Sequence, residues 1–294
     1  MSLTLHHAAM VLALLFPLAL PASAQPLHID VFISDESSYF VTSTTIYGET
    51  EALLVDAQFH TSQAAKLADR IAHSGRRLKA IIITHPDLDH YIGLAVLHER
   101  FPDARIYMTE AALDEFKSSS AGYLARQKKN AAAETPDSLP MPEAAPTTEF
   151  LVDGHSILLI KDFQGDVLKP TNSFLWIPSL RAVIAGDIVF DGVHPWLADS
   201  TEQTRRAWMH SLDLIGSLQP RVVVAGHKKD EKSRDSAKSL DFMRGYLRDF
   251  DTARKASSTA EQLAAEMNQR YPGLAQKKFL DFAAKAAYPN TSHP

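Results

Sequence analysis

The segment His85-Pro86-Asp87-Leu88-Asp89-His90 puts two imidazoles and two carboxylates within six residues. Carboxylates held that close repel one another unless a cation collects them. Imidazole and carboxylate are the donors that Zn and harder divalent ions accept. The same residue types also serve as helix caps and polar loop, so position matters. The segment follows the apolar run 80–83, Ala-Ile-Ile-Ile, which reads as a buried strand. A loop leaving such a strand can turn its side chains toward one point. Two other apolar strands end in residues of the same kind: Val183-Ile184 leads to Asp187, and Val222-Val223-Val224 leads to His227. Strand ends meeting at one sheet edge are where α/β folds assemble their sites. The chain has no cysteine, which excludes thiolate ligands and Cys-rich structural zinc.

The elements that must position these residues alternate between strand and helix patterns. Segments 27–33, 39–47 and 51–55 are short, rich in β-branched or aromatic residues and bounded by polar turns. Helical spacing of apolar residues follows over 62–74. After the strand 80–83, residues 91–100 read as a helix, 104–108 as a strand, and Thr109 as the N-cap of another helix. Segment 119–149 is rich in Ala, Lys, Ser, Glu and Pro and is expected to be an insertion or lid. Residues 149–160 form a predicted hairpin around Asp153-Gly154. Segments 173–177 and 182–190 make a second β pair, 202–218 an amphipathic helix and 221–225 a strand. Residues 234–287 are helical in pattern. No repeat of 20–50 residues is present.

From about Tyr39 to His227 the chain resembles the metallo-β-lactamase-like superfamily. The resemblance rests on Leu53-Leu54-Val55-Asp56, on 84–93, on Ala185-Gly186-Asp187 and on Val224-Ala225-Gly226-His227. It implies an α/β fold, a four-layer αββα sandwich, with a C-terminal helical extension. It also implies metal ligands: His85 for a first ion, Asp89, His90 and His227 for a second, and Asp187 bridging both. Two positions depart from the family pattern. Asp87 stands where the motif His-x-His-x-Asp-His has its second His. A later family His has no clean equivalent; Asp166, in Gly165-Asp166, is the nearest, reached with a short insertion, and otherwise reads as a β-turn aspartate. One or two divalent ions are expected. The resemblance favours Zn, while the added carboxylates keep Mn or Fe open and lower the Lewis acidity of the first ion.

The activity so implied is hydrolysis of a small ester, lactone or amide by a metal-activated water, with Asp89 as a catalytic residue that orients the nucleophile as well as a ligand. An iron-dependent oxidoreductase of the same fold and a non-catalytic metal- or ligand-binding member are the alternatives. His60, His194 and Trp196, each near an expected strand end, and Tyr91, which follows the motif, are candidate substrate contacts. Asp56 reads as a carboxylate that fixes a turn or supports a ligand.

A net charge of −5, with no run of like charges, argues against a nucleic-acid surface. The partner is expected to be a small molecule, and oligomeric state is left open. Residues 8–20 are almost wholly apolar, followed by Pro21-Ala22-Ser23-Ala24 with small residues ahead of a cut before Gln25. This plan predicts a signal peptide over 1–24, no stable membrane insertion after cleavage, and a periplasmic or secreted protein. The expected organisation is then a catalytic domain over 25–233 and a helical extension over 234–294.

Overall fold

The structure is a computed structural model and describes residues 25–288. The expected signal peptide, 1–24, lies outside the described residues. The first half of the chain runs β1 (His28–Ile33), β2 (Thr42–Tyr47), β3 (Glu51–Val55), α1 (Thr61–His73), β4 (Arg77–Ile82), α2 (Leu88–Tyr91), α3 (Leu94–Arg100), β5 (Arg105–Met108), α4 (Glu110–Asn130) and β6 (Glu143–Ala144). Its six strands form one sheet in sequence order, antiparallel from β1 to β3 and parallel from β3 to β6. The second half runs β7 (Glu149–Val152), β8 (His155–Phe163), β9 (Asn172–Ile177), β10 (Ala182–Ile184), β11 (Phe190–Asp191), α5 (Glu202–Ser217), β12 (Val222–Val224), β13 (His227–Lys228), α6 (Lys238–Ala256), α7 (Ala260–Arg270) and α8 (Lys277–Ala286). Its main sheet has the order β12-β10-β9-β8-β7, with β10 and β12 parallel. Strands β11 and β13 form a separate two-stranded pair.

Three apolar layers make this a four-layer αββα sandwich. Side chains alternate across a strand, so Leu53 and Val55 of β3 point into the seam between the sheets while Ala52 and Leu54 point toward α1 and α3. In the second sheet Ile184 and Val224 face the seam, and Val183 and Val223 face Trp208 of α5 and Met243 of α6. Strands covered on both faces read as unbroken apolar runs, which is why 80–83, 182–184 and 222–224 are legible without periodicity.

Three expectations need correction. The helix expected over 91–100 is split into α2 and α3. Gly93 sits at the break: a side chain there would overlap the Ala57 carbonyl and come within 2.7 Å of the Ala64 Cβ. The break lets the Ala57 N–H donate to the His90 carbonyl at 2.7 Å and the Gly93 N–H to that of Gln58 at 2.9 Å, which ties the metal-motif loop to the end of β3. Segment 119–149 is not a separate irregular insertion at its start. Helix α4 runs through it to Asn130, with Thr109 accepting at the N-terminus from Ala112, and the chain then rejoins the first sheet as β6. The strand expected over 182–190 stops at Ile184, and Asp187 lies on the tight turn that follows. Beyond β13, α6, α7 and α8 pack with α5 over the outer face of the second sheet. No helix among the described residues is long and apolar enough to cross a membrane.

Candidate metal centre

The turns after β4, β10 and β12 bring His85, Asp87, Asp89, His90, Asp187 and His227 to one edge of the sandwich, joined by Asp166 from the loop between β8 and β9. Their donor atoms form three overlapping groups, each within 4.8 Å: His85, Asp87 and Asp166; His85, His90 and Asp187; Asp89, His90 and His227. Asp187 lies between the ends. Its Oδ2 is 3.0 Å from His227 Nε2 and 4.0 Å from His85 Nε2, and its Oδ1 is 3.1 Å from His90 Nε2. Asp89 Oδ2 reaches within 3.4 Å of His227 Nε2, while Asp87 and Asp166 each stand 4.0 Å from His85 Nε2.

The residues fit bound divalent metal on a structural test. His85 Nε2, His90 Nε2, Asp166 Oδ2 and Asp187 Oδ1 are buried with no hydrogen-bond partner, and His90 Nε2 and Asp187 Oδ1 lie 3.1 Å apart. Buried polar atoms left unpaired are costly, and four converging on one centre point to a cation that completes them. The backs of the imidazoles are fully committed. His227 Nδ1 donates to the Tyr39 carbonyl at 2.8 Å, and His90 Nδ1 donates to Asp56 Oδ2 at 3.1 Å. Carbonyl and carboxylate oxygens only accept, so both rings carry a proton on Nδ1, and Nε2 is the atom each would turn to a metal. Thr84 Oγ1 donates to Asp56 at 2.9 Å and therefore receives from His85 Nδ1, also at 2.9 Å, which fixes the third ring the same way. Asp56 holds this network in a left-handed backbone conformation, φ 62°, and is a supporting group rather than a ligand. Gly226 makes room for the shared carboxylate: a Cβ there would fall on Asp187 Oδ1.

The electrostatics point the same way. Burial holds the His85 imidazole down to about 4. Burial, with Asp89 and Asp187 close by, pushes Asp87 up to about 7. Burial and the neighbouring Asp187 and Asp87 carry Asp166 well above the usual carboxylate range. Burial also disfavours the Asp187 anion, but His227 and His90 outweigh it and hold this carboxyl well below its ordinary value. Burial works against the His90 and His227 imidazoliums, but Asp187 and the neighbouring carboxylates outweigh it and raise both, His90 well above the usual imidazole range. A cation-free cluster thus keeps protons on Asp87, Asp166 and both of these imidazoles, and divalent ions would take their place.

A cleft of about 550 Å³ opens over the centre, with Asp87, Asp89, Asp166, Asp187 and His227 at its floor. Of the expected substrate contacts, Trp196 lines it. His60, Tyr91 and His194 do not. His60 stacks on Phe59, and it is Phe59 that faces the cleft. Tyr91 is buried beneath the motif, edge-on to Phe116. His194 is buried with Nδ1 2.7 Å from the Tyr246 hydroxyl. Sequence reasoning did not single out Tyr39, Tyr123, Arg126, Asp199, Lys278, Phe279 or Phe282, which also line the cleft. The last three come from α8, and no sequence signal announces that this helix folds back over the floor.

A family model, the metallo-beta-lactamase superfamily, matches residues 36–227. The chain belongs to the metallo-beta-lactamase superfamily. Its fold is similar to that of a metallo-beta-lactamase family protein from Thermus thermophilus (TM-score 0.61, 17% identity, 89% of this chain and 91% of that one). It is also similar to a beta-lactamase domain protein from Burkholderia ambifaria (TM-score 0.62, 16% identity, 92% and 90%). A stretch of 77 residues is 31% identical to the coenzyme F420H(2) oxidase of Methanocaldococcus jannaschii, covering 24% of this chain and 18% of the oxidase. The superfamily match ends at His227, so α6–α8 lie beyond it.

Proposed function

We propose that the protein is a metal-dependent hydrolase acting on a small ester, lactone or amide. The observation that carries this reading is the set of unpartnered buried donors converging on Asp187 beneath an open cleft of a size that admits an organic substrate. His85, Asp87 and Asp166 would hold one ion, Asp89, His90 and His227 the other, and Asp187 would touch both. Zn is the first choice, and the four carboxylates keep Mn and Fe available. The ions would supply Lewis acidity toward a carbonyl oxygen and lower the pKa of water. Asp89, which lines the cleft beside His227, would orient the attacking water as well as bind an ion. Asp56 and Thr84 keep the imidazoles in one tautomer. The protein acts outside the cytoplasm, a reading supported by the apolar run and small residues ahead of Gln25.

A second reading has its own support. The oxygen-rich ligand set suits iron, and a stretch of 77 residues is similar to an oxidase; an iron-dependent oxidoreductase is that alternative. The test is a panel of ester, lactone and amide substrates, with hydrolysis and dissolved oxygen followed together before and after chelation and metal return. Hydrolysis that is lost on chelation and restored by Zn or Mn, without oxygen uptake, supports the proposal. Iron-dependent oxygen uptake without hydrolysis overturns it in favour of the oxidoreductase. Bound metal with neither activity makes the protein a binding member of the superfamily.

A further inference from the structure

The cleft is built asymmetrically, and the asymmetry indicates what enters it. Its floor carries the acidic ligands, and two exposed cations stand on its walls: Arg126 on α4 and Lys278 on α8. The one other carboxylate lining it among the described residues, Asp199, accepts from Trp196 Nε1 at 2.7 Å. Neither forms an ion pair with a carboxylate among the described residues. Each lies over an aromatic ring instead, the Arg126 guanidinium 4.9 Å from the centre of Tyr123 and the Lys278 ammonium 4.0 Å from that of Tyr39. A ring face holds a cation in place without neutralising it. Burial lowers the Lys278 pKa, partly offset by Glu36, the direction expected of an ammonium that is incompletely hydrated.

Beside these cations runs an aromatic wall. From His227 at the floor, Phe279 lies edge-on at 5.8 Å between ring centres, Trp196 follows at 5.3 Å, and Phe282 at 5.7 Å from Trp196 closes the row at the mouth. Phe282 is 52% exposed, an unusual state for a large apolar side chain that lines a concave surface. Phe279 and Phe282 lie one helical turn apart on α8 and present one face, with Lys278 next to them. All three lie beyond the span matched by the superfamily model, so the part of the wall around Trp196 that α8 supplies belongs to the C-terminal helices of this chain.

We propose that the site selects amphipathic anions: molecules with an apolar or aromatic body that packs on Trp196, Phe279 and Phe282, and an anionic group held by Lys278 and Arg126. This rests on the hydrolytic reading for what happens to such a molecule, but not for its binding. A charge-assisted contact to a partly desolvated ammonium corresponds to roughly a tenfold gain in affinity. Carboxylates would also ligate the metals, so the probe pair is 2-naphthalenesulfonate, a weak metal ligand, and methyl 2-naphthyl sulfone, its neutral counterpart, titrated calorimetrically into the zinc-loaded protein. The sulfonate is expected to bind about tenfold more tightly than the sulfone. Lys278→Met should remove most of that preference, and Arg126→Met together with Lys278→Met should remove all of it. Phe282→Ala should weaken both probes alike. All three residues are exposed, so these variants keep the fold, and an unchanged thermal melt checks it. Equal binding of the two probes, no binding of either at millimolar concentration, or a preference that survives in the double variant overturns the proposal. Binding is read without turnover, so charge preference in a protein that hydrolyses nothing would sink the hydrolytic reading and leave this one standing.

Discussion

Asp56→Asn isolates the contribution of the network behind the metal ligands. Asp56 accepts from the Thr84 N–H at 2.8 Å, from Thr84 Oγ1 at 2.9 Å and from His90 Nδ1 at 3.1 Å. Asparagine has the same shape and tolerates the left-handed backbone that Asp56 adopts, so the turn is kept. Its single carbonyl oxygen can still receive from Thr84. The amide nitrogen then faces His90 Nδ1, and two donors meet. His90 must move its proton to Nε2, the atom that lies 3.1 Å from Asp187 Oδ1 and that the metal requires bare. Loss of a carboxylate behind a ligating histidine costs about 10–100-fold in metal affinity. Here both the charge and the tautomer are lost, which places the effect near the upper end, about 100-fold or ~2.7 kcal/mol. Competition of the purified protein with a chromophoric chelator for zinc measures it, and circular dichroism confirms the fold. Zinc affinity within about twofold of the wild type, in a folded variant, would refute the argument that Asp56 sets the His90 tautomer.

His90→Ala and His227→Ala should each lower metal content measured by elemental analysis, and Asp166→Ala should lower it through the group shared with His85 and Asp87; normal stoichiometry in all three contradicts the ligand assignment. In metal-stripped protein, Asp87 has its folded pKa raised to about 7 from an ordinary 3.8, so the folded state loses stability as pH climbs through that window. Metal-stripped Asp87→Asn should therefore melt above the metal-stripped wild type at pH 8, with the gap closing toward pH 4, and identical melts across that range count against it. Gly226→Ala should abolish metal binding and destabilise the fold by about 2 kcal/mol or more in chemical denaturation, because its Cβ would displace the Asp187 carboxylate; a variant with native metal content contradicts the packing argument. Mass spectrometry of exported protein should find cleavage between Ala24 and Gln25, and retention of Met1 contradicts export by a cleaved signal peptide.

The sandwich was legible because its central strands are buried on both faces and so announce themselves as apolar runs. The floor of the site was legible for a related reason: His85, Asp187 and His227 follow such runs within a few residues, and Asp87, Asp89 and His90 lie in one short segment. Asp166 was harder. It lies on a loop between β8 and β9, where length is free to vary, and only the three-dimensional approach to His85 places it among the donors. The walls were not legible. His60 and His194 stand near strand ends in sequence, yet one stacks behind Phe59 and the other bonds to Tyr246, since a side chain's direction after a strand end is set by packing rather than by distance along the chain. Lys278, Phe279 and Phe282 are separated from the last ligand by about fifty residues that include two whole helices and their connecting loops. Their periodicity reports an amphipathic helix but not which surface that helix covers.

Anomalous diffraction at the zinc edge from crystals of the zinc-loaded protein tests the central claim most directly. Two peaks are expected, both within about 2.0–2.2 Å of an Asp187 carboxylate oxygen, one also meeting His85, Asp87 and Asp166 and the other Asp89, His90 and His227. A single peak, or two peaks of which either fails to touch Asp187, would contradict the account.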